Sequence, residues 1–207
     1  MNRRLTTTVI LTVLLCAAVQ AQTRPDALEM YRQGRYDEAI ETCLAEIEEK
    51  PDNVESHVVL CWSLVKARRY AEADSWAEKG RRISRFDPRL IEIQGEARYF
   101  PGKNEEALRL FQDYISYAPN GSRIGDVYYF MGEIYLRQGR FRHADIALTT
   151  AVQIESLNGQ WWTRLGYARE MTRDFRPSLD AYNRALALSP GLQDAQRGRE
   201  RVMRQLN

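Results

Sequence analysis

Along most of the chain, apolar residues recur every three or four positions, the spacing that lines one face of an α-helix. Tyr128, Met131, Gly132 and Tyr135 make one such face, and Trp162, Leu165, Gly166 and Ala168 make another. Gly34, Gly102 and Gly139 fall between stretches of this kind. Glycine there marks a tight turn, so the pattern predicts helices in pairs.

The pairs repeat. Ala27, Cys61, Gly95, Gly132 and Gly166 form a column of small residues separated by 34, 34, 37 and 34 positions. Twelve residues after each stand Ala39, Ala73, Ala107, Ala144 and Ser178, small again. Three residues before this second column come Tyr36, Tyr70, Asn104, Phe141 and Phe175, and twelve after it Pro51, Arg85, Pro119, Ser156 and Pro190. Two small columns let the paired helices approach closely, and the aromatic column fills the wedge beside them. A proline after the second helix cannot supply the backbone bond that would continue it.

These columns resemble the tetratricopeptide-repeat (TPR) family, whose 34-residue pattern runs W-x2-L-G-x2-Y, then A-x3-F, then P. The fifth unit matches most fully, with Trp162, Leu165, Gly166, Tyr182 and Pro190, although Arg169 replaces the tyrosine and Ser178 the alanine. The third unit offers Gly95, Ala107, Phe111 and Pro119, and the fourth Tyr128, Gly132, Tyr135 and Ala144; the first two units diverge more. The resemblance implies an all-α, right-handed superhelical solenoid of five helix pairs plus a C-terminal capping helix. The units span about residues 22–53, 54–87, 88–121, 125–158 and 159–192, and the cap spans 193–207. The 37-residue step reads as a loop insertion at Asn120-Gly121-Ser122. The final helix carries Arg197, Arg199, Arg201 and Arg204 beside few apolar residues, as suits the covering of an open end.

The resemblance also implies that the first helix of each pair lines a concave surface that binds partners. Counting from the first small column, the side chains expected there include Tyr31, Arg32, Trp62, Lys66, Glu92, Glu96 and Tyr99 from the first three units. Tyr129, Glu133, Arg137, Tyr167 and Glu170 follow from the last two. Rings mixed with charges of both signs suit recognition of a peptide or helix. Aromatics at helical spacing also serve as packing between repeats, so each ring taken singly has that second reading. The carboxylate clamp of some TPR domains is not expected, because Leu28 and Val59 stand where asparagines are wanted.

Charge and the N-terminus change the picture next. Asn2-Arg3-Arg4, the apolar run from Val9 to Val19 and the small residues of Val19-Gln20-Ala21 read as a secretory signal peptide, residues 1–21, cut before Gln22. The 11 residues of the apolar run fall short of the ~20 that a spanning helix needs. An uncleaved anchor is the alternative, and Cys16 is a poor lipoprotein site because Leu15 precedes it. Arg3 and Arg4 are the only charged residues of this segment, so without them the 30 Lys and Arg fall level with the 28 Asp and Glu. A neutral mature chain lacks the basic footprint that nucleic-acid binding needs. The expected site is periplasmic or secreted.

Catalytic chemistry has little to build on. The 2 histidines, His57 and His143, lie in different units, and no triad, phosphate loop or metal-ligand spacing is present. The acidic run Glu46 to Glu49 reads as a solvated helix face. Cys43 and Cys61 sit in apolar columns of adjacent helices, as two buried thiols or as a disulfide. No enzyme, cofactor or metal is expected. The sequence thus predicts an adaptor that binds a peptide or helical segment of a partner protein, or a self-associating component of an envelope complex.

Overall fold

The computed structural model describes residues 26–207. The signal segment predicted at 1–21 lies outside them. Eleven helices follow one another among the described residues: α1 (Ala27–Arg32), α2 (Tyr36–Glu49), α3 (Val54–Lys66), α4 (Tyr70–Ile83), α5 (Pro88–Tyr99), α6 (Asn104–Tyr117), α7 (Ile124–Arg137), α8 (Phe141–Ile154), α9 (Gly159–Met171), α10 (Phe175–Leu188) and α11 (Gln193–Leu206). Each odd-numbered helix packs on the even-numbered one that follows, and α11 closes the end on α10 and α9.

The starts of the helices follow from local chemistry. Asp26, Asn53, Asp87 and Asn158 cap α1, α3, α5 and α9, each accepting from backbone N–H groups of the first turn. The aromatic column supplies the first residue of the second helix in four pairs, with Asn104 in the fifth. The turn inside each pair contains one residue with positive φ. Gly34, Gly102 and Gly139 hold it in three units, as the pattern predicts, but Arg68 (φ 60°) and Arg173 (φ 65°) hold it in the other two. Those two arginines were not legible as turn residues, since nothing in their chemistry favours the left-handed region.

The small columns do the packing work expected of them. All five residues of the second column are fully buried. In the first column, a Cβ added at Gly95 would lie 2.5 Å from the Phe111 ring, and at Gly166 2.7 Å from the Tyr182 ring. Phe111, Leu148 and Tyr182, each buried, fill the space the glycines leave, and burying such a side chain contributes ~1.5–3 kcal/mol. Ser178, which replaces alanine, donates its hydroxyl proton to Gly166 O at 2.7 Å, so the substitution leaves no buried hydroxyl without a partner.

The core runs along the stack as three successive clusters: units one to three, units three to five, and unit five with the cap. The cap buries Ala195, Gly198 and Val202, while Met203 and Leu206 remain exposed. Cys43 and Cys61 are free buried thiols. Burial pushes Cys43 up to about 12 and Cys61 higher still. No described helix is long and apolar enough to cross a membrane.

Candidate partner-binding groove

The first helices carry a cavity of about 480 Å³ between units one and three, closed on its far side by the loop that leads into α7. Its aromatic and aliphatic wall comprises Tyr31 of α1, Trp62 and Val65 of α3, and Ile93 of α5. Tyr31 and Trp62 stand 5.7 Å apart, ring centre to ring centre. Tyr114, Ala118, Gly121, Ser122 and Arg123 supply the opposite side. The three extra residues of the 37-residue step are therefore used: they carry Arg123 across to the face formed by α5.

Arg123 is the electrostatic centre of the cavity. It donates to Glu92 at 3.2 Å, to Glu96, and to Asp126 at 2.8 Å, and its backbone N–H donates to the Tyr114 hydroxyl at 3.2 Å. The Glu92 and Glu96 side chains are 1% and 6% exposed against 45% for Arg123. Burial works against the Arg123 charge, but the three carboxylates outweigh it and raise the guanidinium pKa further. Burial, and then the negative charge of Glu96, push the Glu92 carboxyl well above the usual carboxylate range. Burial pushes Asp126 up as well, and pushes the Tyr31 hydroxyl up on the other wall.

At the rim, Arg89 donates to Glu55 and to Asp87, both at 2.8 Å. Lys66, exposed at the end of α3, makes no ion pair among the described residues.

Of the twelve residues expected on the partner-binding face, Tyr31, Trp62, Lys66, Glu92 and Glu96 line this cavity. The other seven are not gathered there. Arg32 is exposed on α1, 4.0 Å from Glu29. Arg137 lies over the Tyr99 ring at 4.2 Å and donates to its hydroxyl at 2.7 Å, tying unit four to unit three. Tyr129 stacks on Trp161 with ring centres 5.0 Å apart. Arg164 donates to Glu133, and its guanidinium lies 5.6 Å from the centre of the Tyr167 ring. Glu170 accepts from the Tyr182 hydroxyl at 2.7 Å and from Arg201 of the cap at 2.6 Å. Burial alone would raise the Glu170 carboxyl, but Arg201 and Tyr182 hold it below the usual range.

A regular device emerges. Glu92 with Arg123, Glu133 with Arg164 and Glu170 with Arg201 are each 31 residues apart and link one unit to the next. Burying such a pair costs desolvation of both charges, and removing one partner would leave the other uncompensated. The sequence reading placed these glutamates on the right helices and missed their partners. Arg123 in particular lies outside the inward positions that a 34-residue frame provides, and only the insertion pointed to it.

Residues 129–192 match the family model of the tetratricopeptide repeat. The fold is that of a TPR solenoid. YrrB, a TPR protein described as having an unusual peptide-binding site, superposes with a TM-score of 0.71 at 15% identity, over 81% of this chain and 84% of that one. MamA superposes with a TM-score of 0.69 at 19% identity, over 80% and 95% of the two chains. The hetero-tetramer Cut9–Hcn1 of the APC/C gives a TM-score of 0.75 at 14% identity, over 86% of this chain and 35% of that one. No curated protein matches the sequence. The family that matches is a repeat and not a catalytic domain, and among the described residues no group of three or more His, Cys, Asp or Glu could hold a metal.

Proposed function

We propose that this TPR scaffold is an extracytoplasmic adaptor that holds a segment of a partner protein, with the cavity of units one to three as its principal contact. The observation that carries this is the cavity itself: about 480 Å³, with aromatic and aliphatic walls and a small set of placed polar groups. That is the composition of a recognition pocket. Half-buried Tyr31 and Trp62 offer ring surface at small entropic cost. Units four and five, whose inward rings and charges are engaged with one another, support the pocket and present less free surface.

The extracytoplasmic placement rests on the N-terminal pattern of basic residues, apolar run and small-residue cut. Mass spectrometry of the exported protein should find a first residue of Gln22. Recovery of a chain that still begins at Met1 would favour the uncleaved anchor.

In-cell photo-crosslinking tests the adaptor reading. A probe at exposed Lys66, on the cavity rim, should trap a foreign protein that a probe at exposed Arg109, on α6, does not trap. Equal trapping from both positions would end it. A second reading, self-association within an envelope complex, draws on exposed apolar residues such as Ile83, Ile154 and Leu157 and the paired rings of Phe86 and Tyr117. Crosslinks to the chain's own copies alone would favour it.

A further inference from the structure

The cavity also carries information about what fills it. Its four apolar walls, Tyr31, Trp62, Val65 and Ile93, leave room for a bulky side chain. The charges around them are nearly all answered. Arg89 is held by Glu55 and Asp87, and Arg123 by Glu92, Glu96 and Asp126. The two glutamates that a basic ligand would seek are covered, at 1% and 6% exposure, and are occupied with Arg123. One charged group remains open to a ligand among the described lining residues, the Lys66 ammonium at the rim. An apolar interior with internally paired charges favours an uncharged side chain, because a buried charge without a partner is costly. A free ammonium at the mouth favours an anion just outside it.

We propose that the cavity takes an aromatic side chain of the partner segment, with an acidic residue beside it in that segment meeting Lys66. This rests on the adaptor reading and names the partner's chemistry. The ring would pack against the cavity-facing sides of Tyr31 and Trp62, which already touch each other with ring centres 5.7 Å apart, at the offset or tilted distances that aromatic pairs prefer. The carboxylate would lie at the rim, where it keeps part of its hydration. Glu92 and Glu96 act as struts that hold Arg123 against α5, so that the loop wall is in place before the partner arrives.

The test uses four capped tetrapeptides, with the central pair Asp-Phe, Lys-Phe, Asp-Ala or Asp-Leu between glycines. The chain is labelled with 5-fluorotryptophan, whose 4 tryptophans give separate fluorine resonances, and Trp62→Phe assigns the one of interest. Asp-Phe should shift the Trp62 resonance with an affinity at least tenfold above Lys-Phe and Asp-Ala, and severalfold above Asp-Leu. Lys66→Glu, an exposed rim substitution that leaves the core untouched, should reverse the order of Asp-Phe and Lys-Phe. Equal or tighter binding of Lys-Phe to the parent chain would overturn the proposal, as would the absence of any shift at millimolar peptide. A Trp62 resonance that moves with protein concentration alone would overturn it too, by assigning the cavity to a second copy. A foreign partner crosslinked from Lys66, together with no preference among the tetrapeptides, would sink this inference while leaving the adaptor reading standing.

Discussion

Gly132 offers a direct test of how the repeats pack. A Cβ built on it would lie 2.5 Å from Leu148 Cγ and 2.7 Å from Cδ2, and Leu148 is wholly buried in α8. Cγ is the branch point of the side chain and cannot swing aside as a terminal methyl can. Overpacking a filled core by one methyl costs about 1–3 kcal/mol. Against this, alanine in a helix is favoured over glycine by about 1 kcal/mol. Gly132→Ala should therefore be destabilising by about 1 kcal/mol on balance, against the direction that helix propensity alone predicts. Gly80→Ala is the comparison, since the nearest atom there is a methyl end of Leu90 at 3.0 Å and the next contacts are at 3.2 Å. It should come out more stable than Gly132→Ala. A double-mutant cycle separates the clash from other causes. Leu148→Ala alone should cost about 2–5 kcal/mol. Combined with Gly132→Ala it should cost about 1 kcal/mol less than the sum of the two, because the truncated leucine makes room for the new methyl. Urea unfolding followed by circular dichroism supplies all four corners. A stabilised Gly132→Ala, or strict additivity with Leu148→Ala, would refute the contact between α7 and α8 as described.

Further outcomes follow from strain, burial and charge. Arg68→Gly should stabilise the chain by about 0.5–1 kcal/mol in the same assay, since a left-handed non-glycine residue costs about 1–2 kcal/mol and glycine returns part of that as entropy. Cys43 and Cys61 should resist a thiol reagent at pH 8 until denaturant is added, because a thiol pushed up to about 12 is thiolate in only about one part in ten thousand there. Rapid labelling of either in the native chain would contradict their burial. Glu92 binds its proton more tightly in the fold than in the unfolded chain, so its favourable contribution is complete below the unfolded value of about 4.3 and is lost as pH rises through the raised folded value. The melting temperature of the parent should consequently fall relative to that of Glu92→Gln as pH increases from 4 to 8, and parallel curves would show that the fold does not raise the Glu92 carboxyl above its unfolded value.

The fold was legible in the sequence because a solenoid writes the same packing problem five times. Gly132 opposite Leu148 and Gly166 opposite Tyr182 are the same contact in different residues, and a 34-residue frame finds both. The groove was less legible. Tyr31 and Trp62 were named by counting inward from the small column, and the same count named Tyr99 and Tyr129, whose rings pack on Phe130 and Trp161. Glu133 and Glu170 do stand on first helices, but whether a glutamate there is free or tied depends on an arginine 31 residues away in the next unit. A reading that treats each repeat alone cannot see such a partner. Arg123 escaped for a related reason: the insertion that carries it is an irregularity in the frame, and the frame was the source of every other inward position. Arg68 and Arg173 escaped because a left-handed residue with a long side chain leaves no mark in composition.

The central claim, that the cavity of units one to three is where the partner binds, is tested most directly by titration calorimetry. The segment of the captured partner is titrated into the parent, Trp62→Ala and Arg109→Ala, with circular dichroism confirming helix content in each. Truncating a central aromatic anchor should cost at least about 2 kcal/mol, or about thirtyfold in Kd, while Arg109→Ala should bind as the parent does. A Kd for Trp62→Ala within twofold of the parent would place the partner elsewhere on the molecule and contradict the account.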